Sequence, residues 1–145
     1  METEKSAGMA IELEKLCQVP SVFPSLDEDA EENHGDWLLV ITKPTLGEGD
    51  ETLGKALMES FFAALMLEEL PPAAVIFLNS GVRLCCANSS VLEDLCALER
   101  RGVGIFVSAA CVDYYQLRRE LCVGNLIAMS QISARIARTM RVVTF

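Results

Sequence analysis

Apolar and polar residues follow one another along most of this chain in blocks whose period switches between that of a strand and that of a helix. Residues 37–42 (WLLVIT) are an unbroken apolar run that ends in the Pro- and Gly-containing stretch KPTLGEGD. A run without alternation predicts a strand buried on both faces, as in a parallel sheet. Residues 51–70 then place Leu53, Leu57, Phe61, Ala64 and Leu65 at helical spacing, with Phe62 and Met66 widening the apolar face, and Pro71-Pro72 stops the helix. Residues 73–78 predict a second strand closed by Asn79-Ser80-Gly81, and Ser90-Val91-Leu92-Glu93 has the form of a capping box opening a helix that Gly102 ends.

The second half repeats the scheme. A third strand at 103–107 leads to a third helix at 111–122, with Tyr114, Leu117 and Leu121 inward and Gly124 just past its end. A weak fourth strand at 125–129 precedes a helix capped by Ser130 and carrying Ile132, Ile136 and Met140, and residues 141–145 close with a fifth strand. Strands separated by helices of about ten or more residues imply right-handed parallel crossovers. The expected fold is α/β, a three-layer α/β/α sandwich on a five-stranded, mainly parallel sheet.

Residues 1–35 break the pattern. They hold one short amphipathic piece at 11–16, two prolines and the acidic run 27–32, too little apolar area to offset the entropy of ordering. The expected organisation is a flexible acidic N-terminal arm at 1–35 and one α/β domain at 36–145. Charge divides at the same place: residues 1–36 carry ten acids and two bases, and residues 37–145 carry eleven acids and ten bases. With the Arg residues of the domain scattered among acids, no clustered basic surface exists to replace counterions along phosphates, which argues against a nucleic-acid partner. A hydrophobic content of 51% and a mean hydropathy of +0.30 are high for one small domain, and a homo-oligomer is expected. The longest apolar run falls far short of the roughly 20 residues that span a bilayer, and Met1-Glu-Thr-Glu-Lys does not open a secretory signal. A cytoplasmic protein without a membrane partner is the expectation.

Six cysteines stand at 17, 85, 86, 96, 111 and 122 without the Cys-x-x-Cys spacing of zinc or dithiol sites, so reduced thiols are expected. In an open parallel sheet, ligands collect beyond the C-terminal strand ends. Those ends are Thr42, Asn79-Ser80-Gly81 and Ser108-Ala109-Ala110-Cys111, each a switch from large apolar to small or polar residues. Cys111 falls at or just before a helix N-terminus, where the dipole and free N–H groups favour a thiolate, the nucleophilic form, while Asp113 opposes it. The one histidine, His34, lies in the arm, so Cys-His hydrolysis is not expected; sulfur-transfer or redox chemistry, which needs no separate base, remains. Cys96 and Cys122 read as core residues. Adjacent Cys85 and Cys86 supply only two soft ligands and do not make a metal site. The loop Leu46-Gly47-Glu48-Gly49-Asp50 lacks a phosphate-binding pattern, and its acids would repel phosphate. No cofactor is called for.

The segments LGEGDETLGKALMESFF (46–62), VIFLNSGVRL (75–84), VLEDLCALERRGVGI (91–105) and CVDYY (111–115) together resemble the YedF-type, selenium-metabolism branch of the DsrE/DsrF superfamily, over about residues 37–145. The resemblance implies a DsrE-like α/β/α fold, oligomerisation, and the handling of sulfur or selenium as a protein-bound persulfide or its selenium analogue. The sulfur-carrying cysteine of the superfamily maps onto Cys111. A second cysteine that the family shows shortly before it is replaced here by Ser108, and the N-terminal TusA-like domain with its Cys-Pro-x-Pro motif is not present in residues 1–35. The expectation is a sulfurtransferase-like carrier with Cys111 as its nucleophile, exchanging sulfur with donor and acceptor proteins, and with Thr42, Asn79, Ser80, Gly81 and Ser108 around the bound sulfur. The alternative is a non-catalytic small-ligand-binding or assembly module of the same fold.

Overall fold

In the computed structural model of the chain, residues 34–145 are described, so the arm expected at 1–35 falls outside them except for its last two residues. Five short strands form one sheet: β1 (Leu38–Ile41), β2 (Ala74–Phe77), β3 (Gly104–Ser108), β4 (Asn125–Ile127) and β5 (Val142–Thr144). They lie in the order β4-β3-β2-β1-β5, and all four pairings are parallel. Every residue of β1 and β2 is buried, as two-sided burial of an unbroken apolar run requires.

Strands β1 to β4 step across the sheet in one direction, whereas β5 returns to the free edge of β1. Right-handed crossovers therefore put the first three connections on one face and the last on the other. The side chains agree. Leu39, Ile41, Val75, Phe77, Ile105 and Val107 pack under Met58, Phe62 and Leu65 of α1 (Glu51–Leu65), Leu95 and Leu98 of α2 (Leu92–Arg100) and Val112 of α3 (Ala109–Tyr114). Leu38, Val40, Ala74 and Ile76 face the other way, where Ile132 of α4 (Met129–Arg138) meets them. The result is a three-layer α/β sandwich with unequal outer layers.

Several elements differ from the sequence pattern, each for a local reason. Helix α1 turns Met58, Phe62 and Leu65 to the core, and Leu53 and Leu57 are 57% and 42% exposed; Phe62, read as lying off the main stripe, is fully buried. Apolar residues lie on more than one face of this helix, and the face turned inward includes Gly54, which packs closely on Thr45 as its missing Cβ permits. Helix α1 is capped by Asp50, whose Oδ2 accepts the Leu53 N–H at 2.8 Å; this accounts for the acid at the end of the glycine-rich loop.

The capping box at 90–93 is not formed. Ser90 donates instead to Glu59 at 2.7 Å, Ser89 Oγ accepts the Val91 N–H, and α2 starts at Leu92 without a side-chain cap. Similarly, α4 begins at Met129, and Gln131, not Ser130, satisfies the Ala128 N–H. Ile132 alone of the expected inward residues on α4 is buried; Ile136 is 40% and Met140 90% exposed. The third helix is six residues long rather than twelve, because Gln116 adopts a left-handed φ of 57° and the chain turns back over the core, burying Leu117 and Leu121 but leaving Tyr114 exposed. Asn79-Ser80-Gly81, read as closing the second strand, open a 3₁₀ segment, Asn79–Cys85. No helix among the described residues is long and apolar enough to cross a membrane.

Candidate functional site

The connection after β3 leaves toward one face of the sheet and that after β4 toward the other, so the end of β3 lies beside the point where the winding reverses. Such a point opens a crevice outside the strand ends. Ser108 is the last residue of β3 and the N-cap of α3; its Oγ accepts the Cys111 N–H at 3.3 Å. Cys111 is thus the third residue of α3, and its own N–H is used internally. Its side chain remains half-buried, neither sealed in the core nor fully in solvent.

The donor to its sulfur comes from the neighbouring strand end. Asn79, 32 residues earlier, directs its backbone N–H to Cys111 Sγ at 3.1 Å. This bond ties the sulfur to the end of β2, across the mouth of the crevice. Asn79 lies in the left-handed region with φ 51°, which Asn tolerates better than most residues. Tyr115 donates its phenolic hydrogen to Asn79 Oδ1 at 2.6 Å, and the Arg83 guanidinium lies 4.8 Å from the centroid of the Tyr115 ring.

Of the residues expected around the sulfur, Asn79 and Ser108 are brought to Cys111. Gly81 plays a different part: a Cβ there would lie 2.5 Å from the Ile41 carbonyl oxygen, so the glycine lets the 3₁₀ segment pass close over the end of β1. Ser80 lies between them in the same segment, half-buried. Thr42 is not drawn to the sulfur, because its hydroxyl donates to the Phe145 carbonyl at 2.5 Å at the β1–β5 side of the sheet. Tyr115 and Arg83 were not singled out from sequence. Their only signal there is spacing, each standing four residues after a site residue.

Electrostatics also separates the cysteines. Asp113, expected to oppose a thiolate at Cys111, is paired with Arg118, at 2.5 Å from Nε to Oδ1 and 3.1 Å from Nη2 to Oδ2, and this guanidinium holds its carboxyl below the usual range. Cys85, the last residue of the 3₁₀ segment, and Cys86, its C-cap, are both buried; burial pushes the Cys85 thiol well up and the Cys86 thiol to about 11. Burial also raises Cys122. Among the described residues no group of three or more His, Cys, Asp or Glu could hold a metal ion.

A separate cleft of about 230 Å³ lies between α1 and the start of α2, with Met58, Leu84 and Val91 in its floor and Lys55 and Glu59 on its wall. Cys111 does not line it.

No family model matches the chain, and no curated protein sequence matches it significantly. Among solved structures it is similar to the ychN protein from E. coli, with a TM-score of 0.52 and 12% identity over 74% of this chain and 97% of that one. Likeness at that identity speaks for the fold alone, a parallel α/β sandwich.

Proposed function

We propose that this chain is a sulfurtransferase-like carrier in sulfur or selenium metabolism, with Cys111 as the atom that takes and releases the chalcogen. The observation that carries the reading is the Asn79 N–H directed at a half-buried Sγ at the end of β3. A thiol in that setting needs no neighbouring base to act as a nucleophile. In the step itself, the Cys111 thiolate attacks the outer sulfur of a donor persulfide, R–S–SH. The donor S–S bond breaks as the new one forms at Sγ, and R–S⁻ departs, so no electrons are gained or lost overall. An acceptor thiolate then repeats the displacement on the outer sulfur of the Cys111 persulfide. Ser108 stands where the resembled family has a second cysteine; with a hydroxyl there, release depends on the acceptor's thiol and not on a local disulfide. The likeness of the four segments to the YedF-type branch supports selenium as an alternative cargo.

The test is incubation of the full chain with a persulfide donor, followed by peptide mass mapping of the described cysteines. One added sulfur on Cys111, lost in Cys111→Ser, is the expected result. Label on another cysteine, or on none, removes the carrier reading. The cleft between α1 and α2 favours a second reading, a small-ligand module independent of Cys111. Its volume is small beside the roughly 300–1,000 Å³ of common ligand pockets.

A further inference from the structure

Two pairs of residues, each four apart in sequence, interlock across the ends of β2 and β3. One pair is Cys111 and Tyr115, on α3 and its C-cap; the other is Asn79 and Arg83, in the 3₁₀ segment. Their contacts run in sequence. The Asn79 N–H meets Cys111 Sγ at 3.1 Å, the Tyr115 hydroxyl meets Asn79 Oδ1 at 2.6 Å, and Arg83 lies over the Tyr115 ring at 4.8 Å. The Tyr114 ring stands edge-on to that of Tyr115 at 5.2 Å, giving the phenol a second lateral contact.

The direction of the Asn79 N–H depends on its backbone conformation, which is left-handed with φ 51°. Asn enters that region more readily than other residues with a Cβ but still prefers negative φ, so a side-chain contact can decide whether it stays there. The amide side chain is the handle, and the phenol is what grips it. The Tyr115 hydroxyl bonds to Asn79 and not to sulfur, so any effect it has on the thiol passes through the Asn79 backbone.

We propose that Tyr115 is a positioning residue for Cys111: by bonding the Asn79 side chain it holds Asn79 in the conformation that aims its N–H at the sulfur. This rests on the reading of Cys111 as the reactive thiol, but not on which chalcogen it carries. Loss of the phenol frees Asn79 to relax toward ordinary φ values, the N–H swings off the sulfur, and the thiolate loses its donor.

The test is the pH–rate profile for alkylation of Cys111 by iodoacetamide in the full chain, read at that residue by mass spectrometry. It compares wild type, Tyr115→Phe, Asn79→Ala, Asn79→Gly and the double variants. Tyr115→Phe should slow alkylation by roughly three- to tenfold at neutral pH, the range of one hydrogen bond, and so alter the profile, with the melting temperature nearly unchanged. In either Asn79 background Tyr115→Phe should have no further effect, because the chain of contacts is already broken. Glycine enters the left-handed region freely and guards the comparison should Asn79→Ala fold poorly.

The inference is overturned if Tyr115→Phe lowers only the melting temperature and leaves the profile in place, or if its effect multiplies with that of Asn79→Gly. The two readings fail separately. Persulfide loading at Cys111 with an unchanged Tyr115→Phe profile removes the positioning role alone. An altered profile in a protein that accepts no sulfur removes the carrier alone.

Discussion

Asp113 lies two residues beyond Cys111, and its carboxylate alone would repel a thiolate there. The Arg118 guanidinium cancels most of that repulsion by pairing with it on an exposed surface. Exposed pairs of this kind contribute on the order of 0–1 kcal/mol. Asp113→Asn should therefore change the alkylation rate of Cys111 by less than about twofold, whereas Arg118→Ala, which uncovers the carboxylate, should slow it by up to about fivefold, and added salt should erase the difference. A large rise with Asp113→Asn would mean that the pair does not persist in solution. At this scale the sequence placed Cys111 between a strand and a helix and set Asn79 and Ser108 near it, without saying which atoms would meet the sulfur. The helix N–H at Cys111 is occupied by Ser108, and the free donor belongs to Asn79. Asn79 was legible as a strand-end residue; that its backbone, and not its side chain, faces the sulfur was not.

Among the elements, the 3₁₀ segment Asn79–Cys85 does most to shape the site, carrying Asn79 at its start, Arg83 in its last turn and two buried thiols at its end. Both thiols have folded-state pKa values raised by burial, so the neutral form is what the fold binds. Their contribution is intact below the ordinary thiol range near 8.5 and is lost as pH rises through it toward about 11 for Cys86. The urea midpoint of the wild type should fall between about pH 8 and pH 10.5, and the fall should be smaller in Cys86→Ala, although that variant starts from a lower midpoint. Equal slopes in the two proteins would show that Cys86 is ionised or solvated in the folded state. Turn residues mark where a strand ends, and Asn79-Ser80-Gly81 did so correctly. They do not report that the chain continues as a tight helix under Ile41, since that depends on Gly81 meeting a backbone 40 residues earlier. The capping signal at Ser90 failed for a related reason, its hydroxyl being taken by Glu59 of α1, whereas at the start of α4 the local Gln131 bonds the Ala128 N–H in place of a serine cap.

For the whole molecule, the unequal outer layers have a consequence for assembly. The face carrying Leu38, Val40, Ala74 and Ile76 is covered by α4 alone among the described elements, with Phe106 half-buried beneath the Arg135 guanidinium at 3.9 Å. Helix α4 also exposes Met129 by 61%, and Met140 just beyond it by 90%. We expect a homo-oligomer that covers this side, a location that composition alone did not indicate. Sedimentation should give a mass above 15.9 kDa, and Ile136→Glu combined with Met140→Glu should return it to that of one chain; a wild-type monomer at micromolar concentration would remove the expectation. The sequence by itself determined the number of strands, their parallel sense and their connecting helices, because a strand buried on both faces leaves an unbroken apolar run and a crossover leaves a helical period. It also determined that a cysteine follows the third strand. Only the tertiary structure decided the order β4-β3-β2-β1-β5, the inward face of α1 and the meeting of Asn79 with Cys111. Those depend on which strand ends become neighbours, a property of contacts far apart in sequence that no local period records.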